Sequence, residues 1–368
     1  MKIVIIGGHL TPALAVIEEL PTGAKVIYLG RKYALEGDSA VSFEYQEVTK
    51  LKIPFKDIKT GRFQRSFTKY TIPSIFKIPL GFLQAVAILK KFKPDVVVGF
   101  GGYVSLPVIL ASYIFKIPVV IHEQTLEAGA ANLFAAKYSE KICISHSSSK
   151  KFFPDGKVIL TGNPIRKTIM VPGKKINFDL PRPLIYITGG SLGSHFINNL
   201  IMNCLPQLLE KYSVIHQTGG ARKFSDFEKL SILKEGLNKG KKERYIISKF
   251  FSDGQVGTIL SISDLVIGRA GINTVTELVM LNKPSLLIPL PNTQKDEQEK
   301  NALYLKRIGL GEILDEKELG VKEFLGRIEK MIKNIEKYRV KEEETFYSKN
   351  AAKKIVKVIY ETAKDHNN

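Results

Sequence analysis

The sequence predicts an α/β protein built from two Rossmann-like domains, and three observations carry that reading. Short β-branched runs alternate with segments of helical apolar spacing along most of the 368 residues, the pattern of parallel, doubly wound sheets. A strand, a Gly-Gly turn and a helix open the chain at Gly7-Gly8, and the same succession returns at Gly189-Gly190. The length suits about two domains, each able to bury its own core. Two such units in tandem are expected to leave a cleft between the carboxyl ends of their strands.

In chain order, Lys2–Ile6 reads as the first strand and Gly7-Gly8-His9-Leu10 as a tight loop. Thr11 reads as the cap of the next helix with Pro12 at its first position, and Ala13, Val16, Ile17 and Leu20 continue it. Strands are expected at Val26–Leu29, Val96–Val98, Pro118–Ile121, Lys141–Ile144 and Val158–Leu160. At Pro183 the pattern restarts, with a strand at Leu184–Thr188, a glycine loop over 189–194 and a helix over Phe196–Leu209. Further strands follow at Ser213–Gln217, Tyr245–Lys249, Leu265–Ile267 and Ser285–Ile288. Asn163-Pro164-Ile165-Arg166, running on to Val171–Pro183, reads as the hinge. The expected domains are therefore 1–163 and 164–345, with an amphipathic helix in 346–368 that carries Ile355, Val356, Val358 and Ile359.

Hydrophobic content of 44% with 25% charged residues is ordinary for a globular chain. Cys143 and Cys204 lie in apolar runs without metal-ligand spacing, as buried thiols of a reducing compartment do. Only four apolar residues separate Lys2 from Gly7, too few for a leader. The longest apolar stretch, Tyr103–Ile121, is broken by Pro107, Lys116 and Pro118, so no bilayer span is expected. The net charge of +19 (55 basic, 36 acidic) asks for an anionic partner: nucleic acid, an acidic membrane surface or phosphorylated substrates.

Chemistry concentrates in Ser263–Ala302, which reads as strand, glycine loop, helix, strand, polar loop, helix. A strand that feeds a helix N-terminus through Gly268 and Gly271 suits a phosphate or diphosphate. Glu277, one turn into that helix, has two readings. It can take both hydroxyls of a ribose, or it can close a capping box as Thr274-Val-Thr-Glu277.

Here the residues carry a resemblance. The run RAGINTVTELVMLNKPSLLIPLP, with Asp296, Gln298 and Asn301-Ala302 after it, resembles the nucleotide-sugar site of the MurG family, the UDP-N-acetylglucosamine:lipid-linked muramyl-pentapeptide N-acetylglucosaminyltransferases. The similarity runs along most of the chain. Gly7-Gly8-His9 followed by Leu10-Thr11-Pro12-Ala13-Leu14-Ala15 resembles the family's first glycine loop, which implies His9 as general base. Read by itself, a histidine at that junction is more often structural. The family usually has Gly-Gly-Thr-Gly-Gly-His, whereas Ile5-Ile6 stands here in place of Gly-Thr. Gly101, Gly102 and Tyr103 match its second glycine loop, which with the first implies a seat for the acceptor diphosphate. Glu123 and Gln124 are placed with the acceptor in the same way; Thr125 stands where the family has Asn, while Ala128-Gly129 and Asn132 match.

For UDP-GlcNAc the resemblance implies Asn163 and Arg166 from a G-N-P-[VI]-R element, Ser191 from a third glycine loop, and Gly271, Thr274, Glu277 and Gln298. Leu192 replaces a common Gln, and Glu299 departs from the usual D-x-Q-Q. Phe250 and Phe251 are placed to flank the uracil, although core packing explains them equally well. No D-x-D and no ligand-spaced His/Cys/carboxylate cluster is present, so neither a metal nor another cofactor is expected. Leaving-group charge then falls to helix N-termini, loop N–H groups and Arg166 or Arg269.

Between Lys50 and Lys93 there are eleven Lys/Arg and one acid, Asp57, interleaved with Phe55, Phe63, Phe67, Tyr70, Ile72, Ile75, Phe76, Ile78, Leu80 and Phe82. Apolar tips ringed by cations suit an anionic leaflet. Single-stranded nucleic acid uses similar groups, but no nucleic-acid motif is present, so the expected partner is the membrane and not nucleic acid. The resemblance agrees, implying a peripheral protein on the cytoplasmic face of the membrane. Its implied activity is inverting transfer of GlcNAc from UDP-GlcNAc to a polyprenyl-diphosphate-linked muramyl-peptide. Alternatives are a glycolipid transferase acting on diacylglycerol, a UDP-GlcNAc 2-epimerase, or a non-catalytic basic protein on the same fold.

Overall fold

The computed structural model describes residues 1–33, 41–61, 71–170, 180–190, 193–220, 224–317, 319–340 and 350–367. The chain divides into two units, one made of Met1–Arg166 with Phe346–Asn368 and the other of Lys167–Thr345.

The first unit holds strands β1 (Lys2–Ile6), β2 (Lys25–Gly30), β3 (Phe55–Asp57), β4 (Val96–Gly99), β5 (Val119–Glu123), β6 (Lys141–Ile144) and β7 (Val158–Leu160). They form one parallel sheet in the order β3-β2-β1-β4-β5-β6-β7. Helices α1 (Leu10–Glu19), α2 (Phe43–Lys50), α3 (Thr71–Phe92), α4 (Ser105–Ile114) and α5 (Ala130–Ala135) connect them. Central strands covered on both faces need unbroken apolar runs; Ile3–Ile6 and Val96–Val98 are fully buried. The strand order reverses at β1 and β4, so a crevice opens at their carboxyl ends.

The second unit begins with the short α6 (Lys167–Met170) and holds β8 (Leu184–Thr188), β9 (Ser213–Gln217), β10 (Tyr245–Ser248), β11 (Leu265–Gly268), β12 (Ser285–Leu287) and β13 (Gly311–Ile313). Their parallel order is β10-β9-β8-β11-β12-β13, with the reversal at β8 and β11. Its other helices are α7 (His195–Lys211), α8 (Asp226–Glu235), α9 (Lys239–Glu243), α10 (Asp253–Ile262), α11 (Ile272–Met280), α12 (Glu297–Arg307) and α13 (Val321–Lys333). The last helix, α14 (Ala351–Asn367), belongs to the first unit. Ile355, Val358 and Ile359 are buried in one apolar cluster with Ile3, Ile5, Leu14 and Val16. No helix among the described residues is long and apolar enough to cross a membrane.

Several boundaries differ from the sequence expectation. α1 starts at Leu10 with His9 as its N-cap, which places Thr11 second and Pro12 third. Pro is tolerated there because the first turn's N–H groups have no intrahelical partner. α11 starts at Ile272 with Gly271 as N-cap and no side-chain cap bond, so Thr274-Val-Thr-Glu277 is not a capping box. The strands absent from the sequence reading, β3 and β13, are three-residue sheet edges broken by Lys56 and Glu312.

Candidate functional site

At the carboxyl end of β1 the loop is shorter than expected. Ile5 and Ile6 lie inside the strand and are fully buried, so their departure from Gly-Thr is an extension of core strand and not a change of loop chemistry. Gly7 N–H donates to Leu29 O (2.7 Å) and His9 N–H to Phe100 O (3.1 Å), while the Glu44 carboxylate lies close against Gly7. Two of the loop's N–H groups, those of Gly7 and His9, are thus engaged inside the fold. At the start of α1, Leu10 and Thr11 are left to offer N–H groups to an anion. Gly8 is needed for another reason: a Cβ there would lie 2.2 Å from Gly101 O. The first loop is pressed against the second, where Gly101 and Gly102 turn at φ +78° and +75°.

Glu44 was not singled out from sequence. It sits beneath this loop, accepting from Tyr28 Oη (2.8 Å) and Arg31 N–H (3.2 Å). Burial raises its pKa above the ordinary carboxylate value against those bonds, and burial likewise raises Tyr28. Arg31 lies over the ring of Tyr103, 5.0 Å from its centre, and brings a cation to the second glycine loop.

His9 is half-buried beside Gly101, where an added Cβ would come within 3.3 Å of its Cδ2 and 3.6 Å of Asn132 Nδ2. Burial lowers its pKa from the usual 6.5, and the charge of Glu123 opposes the shift. Glu123 itself is 1% exposed at the end of β5. Its Oε1 accepts from Thr125 N–H (3.0 Å) and Thr125 Oγ1 (2.6 Å), and its Oε2 from Gly129 N–H (2.9 Å) and Asn132 Nδ2 (3.0 Å). Four internal donors occupy the carboxylate, and its charge is felt at His9. Thr125 is part of that clasp. Around the clasp, Gln124 Oε1, Asn132 Oδ1 and His122 Nδ1 are buried with no protein hydrogen-bond partner. Buried polar atoms cost free energy unless paired, so these three can accept from a polar ligand. Burial pushes His122 down to about 3.

The second unit carries a cavity of about 720 Å³ at the carboxyl ends of β8 and β11, of ordinary ligand-pocket size. Gly189, Gly190 and Gly193 form one wall; Ser191 and Leu192 lie outside the described residues. Gly193 turns at φ +79°, and a Cβ there would fall 2.0 Å from Thr218 O. Gly271 and Thr274, at the start of α11, and Gln298, on α12, line the cavity as expected from sequence. Gln298 also has a structural task, since its Oε1 accepts from Leu290 N–H (3.0 Å) and holds the loop before α12. Glu299 is exposed. Glu277 is half-buried one turn beyond Thr274, close enough to buried Tyr186 for its charge to add to the burial that raises that phenol. Phe250 is 52% exposed and covers Gly220, where a Cβ would lie 2.3 Å from the ring. Phe251 donates its N–H to Gln217 Oε1 (3.1 Å). Both phenylalanines follow β10 directly.

The two arginines expected near the leaving group are already engaged. Arg269 lines the cavity, but it donates to Ser194 Oγ (3.1 Å), Ile288 O (3.0 Å) and Pro289 O (3.2 Å) and pairs with Glu316 at 2.5 Å. Arg166 belongs to the first unit and pairs with Glu18 (3.2 Å) and Glu47 (3.6 Å); Asn163, buried, lies in that unit too. Among the described residues, no group of three or more His, Cys, Asp or Glu is placed to hold a metal ion.

Sequence reasoning missed His195. It opens α7, lines the cavity, and its Nδ1 lies 2.8 Å from Asp226 Oδ1. A signal was present: His9 follows Gly7-Gly8 and His195 follows Gly193-Ser194, each opening the first helix of its sheet. The expected basic face is described only in part. Phe55 stacks on Tyr28 at 5.5 Å inside the unit, and Phe82 packs on its core. Phe63, Phe67 and Tyr70 lie outside the described residues, as do the side chains of Ile72, Ile75, Phe76 and Ile78. Leu80 of that face is exposed as expected, and further exposed apolar groups include Leu83 on α3, Tyr113, Ile114 and Phe115 at the end of α4, and Leu133 and Phe134 on α5.

Two parallel sheets, each with a ligand-sized or polar site at the carboxyl ends of its switch-point strands, define a GT-B-type sugar-nucleotide fold. A crystal structure of MurG from Acinetobacter baumannii shares it, with a TM-score of 0.69 at 26% identity over 98% of this chain and 100% of that one. UDP-GlcNAc 2-epimerase from Neisseria meningitidis shares the fold alone (TM-score 0.64, 17% identity, 98% and 100% covered). Residues 6–144 match the glycosyltransferase family 28 N-terminal domain, and residues 184–359 match its C-terminal domain. The UDP-N-acetylglucosamine--N-acetylmuramyl-(pentapeptide) pyrophosphoryl-undecaprenol N-acetylglucosamine transferase of Lachnospira eligens is 32% identical over 99% of both chains. That of Clostridium kluyveri is 34% identical over 90% of this chain and 91% of its own. The chain belongs to glycosyltransferase family 28.

Proposed function

We propose that this chain transfers N-acetylglucosamine from UDP-GlcNAc to the 4-hydroxyl of a polyprenyl-diphosphate-linked muramyl-peptide. The observation that carries the reading is near-full-length identity to transferases of that name, joined to a distinct polar site in each unit. The first unit receives the acceptor through Leu10, Thr11, the Gly101-Gly102-Tyr103 loop and the buried acceptor atoms of Gln124 and Asn132. The second receives the donor in the cavity of Gly271, Thr274 and Gln298, with Glu277 on the ribose and Phe250-Phe251 beside the uracil.

His9 takes the hydroxyl proton as the acceptor oxygen bonds the anomeric carbon. The bond from that carbon to the phosphate oxygen breaks, its electron pair leaves with UDP, and the configuration inverts. The exposed apolar groups on α3, α4 and α5, with exposed Lys90, Lys91, Lys116 and Lys137 near them in sequence, support peripheral docking on an anionic leaflet. UDP release over a matrix of donors and acceptors tests the activity. Turnover is expected only for UDP-GlcNAc with the lipid-linked muramyl acceptor. Turnover with diacylglycerol, or UDP release with no acceptor sugar, would overturn the reading.

A further inference from the structure

We infer that His195 is a ligand for the diphosphate of the sugar nucleotide, serving as a protonated hydrogen-bond donor whose ring is set by Asp226. The inference rests on the donor site proposed above. Of the residues lining that cavity, Arg269 and His195 are the basic ones, and Arg269 is spent on Ser194, two carbonyls and Glu316. A departing diphosphate gains negative charge, so the site needs a donor not already neutralised.

His195 is built for that task by a relay of buried groups. Tyr245 Oη meets His216 Nδ1 (2.9 Å), and His216 Nε2 meets Asn198 Oδ1 (3.1 Å). Burial keeps His216 uncharged, at about 3, so its Nε2 donates to the amide oxygen and its Nδ1 accepts from the phenol. Asn198 Nδ2 must then point the other way, and it donates to Thr218 O (3.0 Å) and Asp226 Oδ2 (2.9 Å). Asp226, itself 6% exposed, is thereby fixed with Oδ1 toward His195 Nδ1 at 2.8 Å. Phe224 stacks on the imidazole, with 3.7 Å between ring centres and 11° between planes, which sets the plane of the ring, while the bond to Asp226 sets which nitrogen faces outward. With Nδ1 held by Asp226, Nε2 is the nitrogen left for a ligand. Among the described residues, the charged groups around the ring are Asp226 on α8 and the Arg269–Glu316 pair on the same cavity. The neighbouring N-terminus of α7 favours the same anion.

In the reaction the carbon–oxygen bond breaks with its electron pair on the β-phosphate, and the Nε2 proton stays on the ring as a hydrogen bond to phosphate oxygen. The test is the equilibrium affinity of the full chain for UDP, with uridine as the control lacking the diphosphate, from about pH 5.5 to 8.5, across which imidazole titrates. Across this range the terminal phosphate of UDP loses its own last proton, so the pH dependence is read against His195→Gln, which carries that ligand titration alone. Relative to it, UDP binding by the natural sequence should be about tenfold tighter at low pH and lose that advantage as pH rises, the loss of one charge-assisted hydrogen bond; His195→Arg should keep the advantage across the range, and uridine binding should not distinguish the three. Donor KM should follow the same pattern more closely than acceptor KM. His195 is 42% exposed, so both variants keep the fold, which a melting curve confirms. A UDP affinity and pH slope equal to the natural protein's in either variant would overturn the inference. If the slope behaves as expected but GlcNAc is not transferred, the activity proposed above fails and the diphosphate contact stands.

Discussion

His9 can accept a proton only while its imidazole is neutral, and burial secures that state against the pull of Glu123. The acid limb of kcat/KM should therefore lie below the ordinary imidazole value of 6.5, with activity rising through it as pH increases. Glu123→Gln removes the opposing charge, so the limb should move further down; a limb that stays in place would separate Glu123 from the base. His9→Gln should cost about 10²–10⁴ in kcat, the usual worth of a positioned base, while leaving UDP affinity intact. Steady-state pH profiles on both variants check this. His9 was legible because a histidine after Gly-Gly is a local pattern. The Thr125–Glu123–Asn132 clasp was legible only as unremarkable loop polars, because its bonds depend on how β5 and α5 meet.

Among the elements, α11 shows how a correct segment can carry a wrong boundary. Thr274 and Glu277 have capping-box spacing, yet the helix begins at Gly271, whose N-cap position is fixed by the loop leaving buried β11 and needs no side-chain oxygen. The same competition moved the start of α1 from Thr11 to His9. Local capping chemistry loses wherever strand packing dictates where the chain turns. Glu277→Ala should accordingly leave the melting temperature nearly unchanged. Its loss should weaken donor binding by roughly 1.5–3 kcal/mol, the range for a charged hydrogen bond. Calorimetric titration with UDP-GlcNAc beside a thermal melt measures both, and a lowered melting point with unchanged affinity would count against the ribose contact. Central strands were legible throughout, since burial on both faces forces Val/Ile runs such as Val96–Val98. The edge strands β3 and β13 were not, because an edge tolerates Lys56 and Glu312.

For the whole molecule, charge and exposed apolar surface must act together. A net charge of +19 draws any part of the chain toward an anionic bilayer, each cation near the surface adding about 1 kcal/mol. Apolar insertion is what persists when salt shortens the screening length to well under about 10 Å. The sequence placed that insertion on Phe67, Ile75, Phe76 and Phe82; of these Phe82 packs on the core of its unit, and the other three side chains lie outside the described residues. Leu83 and Ile114, 63% and 62% exposed, are the better probes. The double substitution Leu83→Glu and Ile114→Glu should abolish the salt-resistant fraction of liposome co-sedimentation and lower turnover of a long-chain acceptor. Turnover of a water-soluble acceptor analogue and the melting temperature should not change. Equal loss on both acceptors would assign these residues to the fold or the reaction instead.

The return of α14 to the first unit governs how the chain can be made. Ile355, Val358 and Ile359 close a cluster whose other members, Ile3, Ile5, Leu14 and Val16, leave the ribosome more than three hundred residues earlier. The part of that sheet face over β4, β5 and β6, which α14 covers beside α1, must therefore wait while the whole second unit is translated, on the order of 10–40 s at 5–20 residues per second. The unit that emerges first is the one that finishes last. A nascent chain of this kind depends on the second unit folding without delay, because the slower it folds, the longer the patch that α14 closes is open to wrong partners.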